Sequence, residues 1–364
     1  MNVYYYGVYD TNGGLENFAK NLIFEINKQD KSIHFHIITH SNPCSFEEEF
    51  LKNGCTIIRI PNPHKKPFKF YKKYKKIIKN MGDDDVIQLN ICSFRNPFLF
   101  IPCLSIKRRT VVVGHYTKID DGRLPLLHSI NKRFFSRHFH CVTNSDDVTN
   151  FMFPKSTNPI FISNGVDLDK FKMDELSRKE IRDKYNISSD CFLIGQIGRI
   201  DDTKNQLFTI KVFEQLLNQN NKLSLCLAGK EIDKAPREYA KSHGLEDKII
   251  WAGMISSGIE KYYSAFDLCV LPSKNEGLSL SLLESFSNGV DSIYSTAVPH
   301  LTVENNSIYL DLNINTWVKE IQKKINEFDL HPFFSKRKTC LSNTEYDLKT
   351  TAQKYIELYK RVVQ

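Results

Sequence analysis

Short apolar, β-rich runs alternate along this chain with segments of helical period from one end to the other, the signature of parallel sheets joined by crossover helices. In the N-terminal half the predicted strands are Val3 to Val8, Phe35 to Thr39, Thr56 to Ile60, Val86 to Leu89, Thr110 to Gly114 and Cys141 to Thr143. A second series runs through Phe192 to Ile197, Leu223 to Ala228, Ile249 to Trp251 and Leu268 to Leu271. The first helix is the clearest, because Leu15, Phe18, Ala19, Leu22, Ile23 and Ile26 recur at i, i+3, i+4, i+7 along one face.

At 364 residues the chain exceeds the size at which a single core stops growing, so the two series read as two doubly wound α/β domains in tandem. The boundary falls in ISNGVDLDKF, Ile162 to Phe171, where an Asn-Gly turn ends a strand and the charged helix SRKEIRDKY follows. The expected division is 1–163, 164–345 and a terminal helix in 346–364. No run reaches the roughly 18 apolar residues that cross a bilayer, and the start reads as a strand, so the expected location is cytoplasmic. None of the nine cysteines are spaced CxxC and several sit in apolar runs, which reads as reduced core.

In open α/β sheets ligands bind outside the carboxyl ends of the strands, so residues just past strands carry the most information. Gly13 and Gly14 follow the first strand, where a glycine pair lets backbone approach a ligand and leaves helix N–H groups for an anion; a tight turn explains them as well. The GxGxxG fingerprint is absent, which argues against a nicotinamide dehydrogenase. In GRIDDTKN, Gly198 to Asn205, Arg199 and Lys204 lie five apart in a short polar loop, placed either to converge on a diphosphate or to remain as solvated charges. In SKNEGLSLSLLESFSNG, Ser273 to Gly289, Glu276 sits in the loop and Glu284 about two turns into the next helix. Two acceptor-only carboxylates at the mouth of a sheet suit a hydroxyl-rich ligand, and no His or Asp accompanies them at metal-ligand spacing.

Taken together and in order, GGLE after the first strand, the NGVD sequence, GRI followed by Lys-Asn, and the two glutamates within SKNEGLSLSLLES resemble the retaining family 4 glycosyltransferases of GT-B architecture. The resemblance spans about residues 2 to 300. It implies two Rossmann-like domains facing each other across a cleft, the first on the acceptor side and the second binding the donor. The implied reaction moves a sugar from a nucleoside diphosphate sugar, by default a UDP-sugar, to a glycan or lipid-linked acceptor of a cell-surface polysaccharide such as capsule or exopolysaccharide. No cofactor and no metal are expected.

Residue by residue, the resemblance implies that Arg199 and Lys204 hold the diphosphate and stabilise the charge on the leaving group. Glu276 contacts sugar hydroxyls near the N–H groups of Gly277 and Leu278, and Glu284 accepts from the ribose. Gly13 and Gly14 lie near the phosphates and acceptor. His115, one residue past an apolar strand, stands where this family often places a histidine at the reaction centre; it is expected to contact sugar or acceptor rather than act as a general base. Departures from the pattern are Leu278-Ser279 after the Glu-Gly pair and Asp291 in Gly289-Val290-Asp291-Ser292, where an apolar turn is expected. The alternative reading is a noncatalytic subunit of the same fold that binds a glycan or a partner transferase.

The formal charge of +8 points to an anionic partner. Much of it lies in HKKPFKFYKKYKKIIKN, residues 64–80, which reads either as a solvated helix with a narrow apolar stripe or as a surface helix peripheral to an anionic membrane. Nucleic acid is not the expected partner.

Overall fold

The computed structural model describes residues 1–11, 13–115, 125–220, 222–301, 303, 307–330, 337, 339–342 and 344–364. The chain forms two compact units, Met1–Gly165 with Glu345–Gln364, and Val166–Thr344.

The first unit holds strands β1 (Asn2–Tyr6), β2 (His34–Thr39), β3 (Thr56–Arg59), β4 (Val86–Ile91), β5 (Thr110–Gly114), β6 (His140–Thr143) and β7 (Ile160–Phe161). They pair in parallel in the order β3-β2-β1-β4-β5-β6-β7. Helix Gly14–Gln29 turns Phe18, Ala19, Leu22, Ile23 and Ile26 into the core, the face expected from their spacing. Burying a side chain of this kind contributes about 1.5–3 kcal/mol, which is why the periodic face determines the docking. The C-terminal helix Leu348–Val363 packs on the same unit, with Thr351 Oγ1 donating to the Ser163 carbonyl at 3.1 Å and Lys360 Nζ 2.6 Å from Asp30.

The second unit holds β8 (Phe192–Ile197), β9 (Leu223–Ala228), β10 (Ile249–Gly253), β11 (Leu268–Leu271), β12 (Ser292–Ser295) and β13 (Ser307–Leu310), parallel in the order β10-β9-β8-β11-β12-β13. Strands β12 and β13 are not among the expected strands, because SIYS and SIYL lack a continuous apolar run. Strand β12 is nevertheless wholly buried between β11 and β13. Asp291, the odd residue before β12, is accounted for by Lys324 Nζ at 2.9 Å.

The helix expected at SRKEIRDKY starts two residues earlier and spans Glu175–Lys184, and two of its charges point inward rather than to solvent. Arg178 donates to Asp267 Oδ1 at 2.6 Å and Arg182 to Oδ2 at 3.0 Å, while Leu193 N donates to Oδ2 at 2.8 Å. One buried carboxylate therefore ties this helix to the start of β8 and to the entry of β11. The basic stretch forms helix Pro67–Lys79, whose stripe Phe70, Tyr74 and Ile78 is buried in the core while its lysines are exposed. Two of its four aromatics, Phe70 and Tyr74, are thus buried, while Tyr71 is half-buried and Phe68 is 79% exposed. Among the described residues no helix is long and apolar enough to cross a membrane. All nine cysteines are free, with Cys92 exposed and Cys340 partly so.

Candidate active site

The strand order of the second sheet reverses between β8 and β11, and the loops leaving the carboxyl ends of those two strands flank the crevice where doubly wound folds bind ligands. Gly198–Asn205 leaves β8. Its first residue has φ +154, and a Cβ there would lie 3.3 Å from Lys204 Cε, while a Cβ on Gly229 would lie 1.9 Å from the Gly198 carbonyl oxygen. Only glycines at both positions let the ends of β8 and β9 approach this closely with the Lys204 stem laid across them. The loop is tied at its far end. Gln196 Nε2 donates to the Lys204 carbonyl at 2.7 Å, Lys204 N donates to Asp201 Oδ1 at 2.9 Å, and Gln206 Nε2 donates to the Arg199 carbonyl at 2.8 Å.

Across the reversal, the loop after β11 brings Glu276 to the same place. Lys204 Nζ donates to Glu276 Oε1 at 2.5 Å, and Ser273 Oγ donates to the same oxygen at 2.7 Å. The two loops are bound together by Lys274 N donating to the Thr203 carbonyl at 2.8 Å and Asn205 Nδ2 donating to the Pro272 carbonyl at 3.1 Å. Arg199 is different. Its side chain is 56% exposed and meets Asp201 at 3.3 Å, so its guanidinium is largely open to a ligand. Gly277 and Leu278 are partly buried between Glu276 and helix Leu280–Asn288.

Glu284 lies little more than one turn into that helix, nearer its start than expected, because the helix begins at Leu280. The residue keeps some exposed surface, yet protein surrounds its carboxyl closely enough that desolvation raises its pKa to about 7. The hydrogen bond from Tyr263 OH at 2.7 Å and the charges of Lys170 and Lys204 act in the opposite direction. The site therefore combines a paired lysine, an open arginine, one carboxylate shared by Lys and Ser, and a second carboxylate that exchanges its proton near neutrality. Ser281 Oγ, donating to the Ile197 carbonyl at 3.1 Å, pins this helix to the end of β8.

The first unit places its own two expected positions at comparable strand ends. Gly13 precedes helix Gly14–Gln29, and its N–H is taken by Glu16 Oε2 at 3.0 Å. That N–H is thus already satisfied, and a carboxylate already sits at the helix N-terminus. His115 follows β5, donates its backbone N–H to the Ile91 carbonyl at 3.1 Å and places Nε2 3.1 Å from Asn90 Oδ1. Burial lowers its pKa to about 4, so the ring is neutral at pH 7.

Arg199, Lys204, Glu276, Gly277, Leu278 and Glu284 thus share one sheet end, while Gly13, Gly14 and His115 belong to the other unit. Sequence reading missed Ser273, Asp201 and Tyr263. Ser273 and Asp201 stand inside the very segments singled out, so loop position was a usable signal. Tyr263 carried none, since it reaches Glu284 from a separate helix, Ile259–Ala265.

Two parallel doubly wound sheets in one chain are the GT-B architecture. The chain is a glycosyltransferase that matches the family model of glycosyl transferases group 1 over residues 177–307. It is 26% identical over 304 residues to a Bacillus subtilis protein named as the glycosyltransferase EpsF, covering 79% of this chain and 77% of that one. It is 23% identical over 351 residues to the Staphylococcus aureus capsular polysaccharide biosynthesis glycosyltransferase CapH, covering 91% of each. In fold it is similar to the Anabaena protein HepE crystallised with UDP and glucose, with TM-score 0.75, 15% identity and 98% of each chain covered.

Proposed function

We propose that this chain transfers a sugar, with retention of anomeric configuration, from a UDP-sugar to a glycan or lipid-linked acceptor in cell-surface polysaccharide assembly. The observation that carries this reading is the Lys204–Glu276 pair beside the open guanidinium of Arg199, at the point where the strand order of the sheet reverses.

The chemistry follows from the charges. Arg199 takes the donor's diphosphate as a planar fork, and Lys204 exchanges the Glu276 oxygen for a phosphate oxygen. Glu276, released from its cation, accepts hydrogen bonds from hydroxyls of the sugar, with the Gly277 and Leu278 backbone alongside. Glu284 accepts from the ribose. The bond between the anomeric carbon and the diphosphate oxygen breaks with its electron pair leaving on the diphosphate, and Lys204 and Arg199 meet that growing charge. The acceptor hydroxyl bonds to the anomeric carbon on the same face and gives its proton to the departing phosphate, so no protein base is required. His115, with Gly13 and Gly14, serves the acceptor or the transferred sugar as a neutral group. The reaction uses no metal and no cofactor.

Support comes from the relatives: CapH is named for capsular polysaccharide, and HepE holds UDP and glucose. The exposed lysines of residues 64–80 support a peripheral position on the cytoplasmic face of an anionic membrane, where a lipid-linked acceptor would be found. The test is release of nucleoside diphosphate from a panel of UDP-, GDP- and ADP-sugars, with the anomeric configuration of the product read by NMR. Release from a UDP-sugar with retention is the expected outcome. Release from another nucleotide alone, or an inverted product, overturns the corresponding part of the reading.

A further inference from the structure

Four polar side chains of the first unit form a ladder of hydrogen bonds whose directions can be assigned. It starts from a group that only accepts. Asn90 Nδ2 donates to the backbone carbonyl of Tyr6 at 2.9 Å, which forces Asn90 Oδ1 to face the other way. Gln88, two residues earlier on β4, donates Nε2 to that Oδ1 at 3.0 Å, and its own oxygen takes the hydroxyl of Tyr359 at 2.5 Å from the C-terminal helix. The amide orientations thus support one another from both ends. Gly7, with φ +117, leaves the room this needs: a Cβ there would lie 2.8 Å from the Asn90 carbonyl oxygen and 2.9 Å from Asn90 Cβ.

His115 completes the ladder. Its Nε2 lies 3.1 Å from Asn90 Oδ1, an atom with no proton to give, so Nε2 carries the hydrogen. The other ring nitrogen, Nδ1, is buried and has no hydrogen-bond partner among the described residues. Burial also keeps the ring uncharged at neutral pH.

We propose that Asn90 is a positioning residue: oriented by Gln88 and Tyr359, it holds His115 as the Nε2–H tautomer, so that Nδ1 presents a lone pair to a hydroxyl of the transferred sugar or the acceptor. The assignment of that hydroxyl rests on the proposed transferase reaction, whereas the tautomer does not. The opposite tautomer would present an N–H and select a ligand acceptor instead, so the ladder decides which hydrogen-bonding sense the histidine offers.

The experiment reads the ring nitrogens directly. Full-length protein labelled with 15N-histidine, without donor, gives a long-range proton–nitrogen spectrum in which the His115 signals are identified by their loss in His115→Gln. The expected spectrum has a protonated Nε2 and a bare Nδ1. Asn90→Leu removes the acceptor and should populate both tautomers, while lowering kcat about tenfold with donor KM within about twofold. Tyr359→Phe deletes one hydroxyl and should shift the tautomer balance in the same direction to a smaller extent, which keeps the test decisive if Asn90→Leu does not fold. An Nδ1–H ring in the unaltered protein overturns the proposal, as does a tautomer balance unchanged in the folded variants. Should no nucleotide sugar be consumed while the tautomer still depends on Asn90, the transferase reading fails and the ladder stands.

Discussion

Lys204 Nζ and Glu276 Oε1 lie 2.5 Å apart although 72 residues separate them in the chain, and their side chains are only 16% and 11% exposed. The pair joins the loop after β8 to the loop after β11, across the reversal of the sheet. In the proposed reaction each group exchanges this partner for one on the donor, phosphate for the lysine and hydroxyl hydrogens for the carboxylate.

Replacing Lys204 should therefore act mainly on turnover. Charge on the diphosphate grows as the sugar leaves, and an interaction that strengthens in the transition state lowers kcat when removed. Lys204→Ala is expected to lower kcat by about 10²–10³ with a smaller change in donor KM, measured as initial rates of nucleoside diphosphate release. Undiminished turnover would remove the lysine from this role.

Glu284 should make both stability and donor binding depend on pH. Burial raises its carboxyl from 4.5 to about 7, so between these values the folded chain keeps a proton that the unfolded chain has lost. Its contribution is complete below pH 4.5 and is lost as the pH rises through 7. Glu284→Gln should thus raise Tm more at pH 8 than at pH 5. Because ribose hydroxyls need an ionised acceptor, UDP should bind the unaltered protein more tightly at pH 8 than at pH 6. Calorimetric titration that finds the same dependence in Glu284→Gln would assign it to another group.

His115 works in the opposite sense. Its folded value of about 4 lies below the ordinary 6.5, so the unfolded chain binds the extra proton first as the medium is acidified. The stability it contributes is present above pH 6.5 and is lost as the pH falls toward 4. His115→Gln should flatten the acid limb of urea-denaturation midpoints across that window; an unchanged limb would place its cause elsewhere.

Asp267 is the structural counterpart. Its carboxylate is 2% exposed and faces Arg178 and Arg182, themselves 7% and 6% exposed. Asp267→Asn leaves two buried guanidinium groups without their counter-charge and should cost about 3–5 kcal/mol, read from urea unfolding. A loss under about 1 kcal/mol would mean that the backbone carbonyls around the arginines suffice.

The lysines of helix Pro67–Lys79 provide a test of membrane contact. Neutralising Lys72, Lys73, Lys75 and Lys76 together should weaken sedimentation with anionic liposomes by at least about tenfold, since each basic residue near such a surface contributes about 1 kcal/mol. Binding that is unchanged would assign the +8 charge to some other purpose.

Much of the site was legible one segment at a time. Arg199, Lys204, Glu276 and Glu284 stand in segments that the alternation of runs places just past strands, and the rule that ligands bind there needs no coordinates. Strand β12 was illegible because its burial comes from neighbours in the sheet rather than from its own apolar content, and β13 because it is a half-buried edge strand. The inward turn of Arg178 and Arg182 was hidden for a similar reason: at i and i+4 they read as a solvated face until Asp267 arrives from the other side of β8.

The sequence by itself determined the alternating elements, the apolar face of helix Gly14–Gln29 and the polar loops beyond the strands, because these follow from local periodicity and the need to keep apolar surface from water. Tertiary structure alone decided that Lys204 meets Glu276, that Tyr263 meets Glu284, and that Tyr359 reaches Gln88 across 271 residues to set the hydrogen on His115. Such pairs depend on strand order and helix docking, and strand order is settled by long-range packing that no short window of sequence contains.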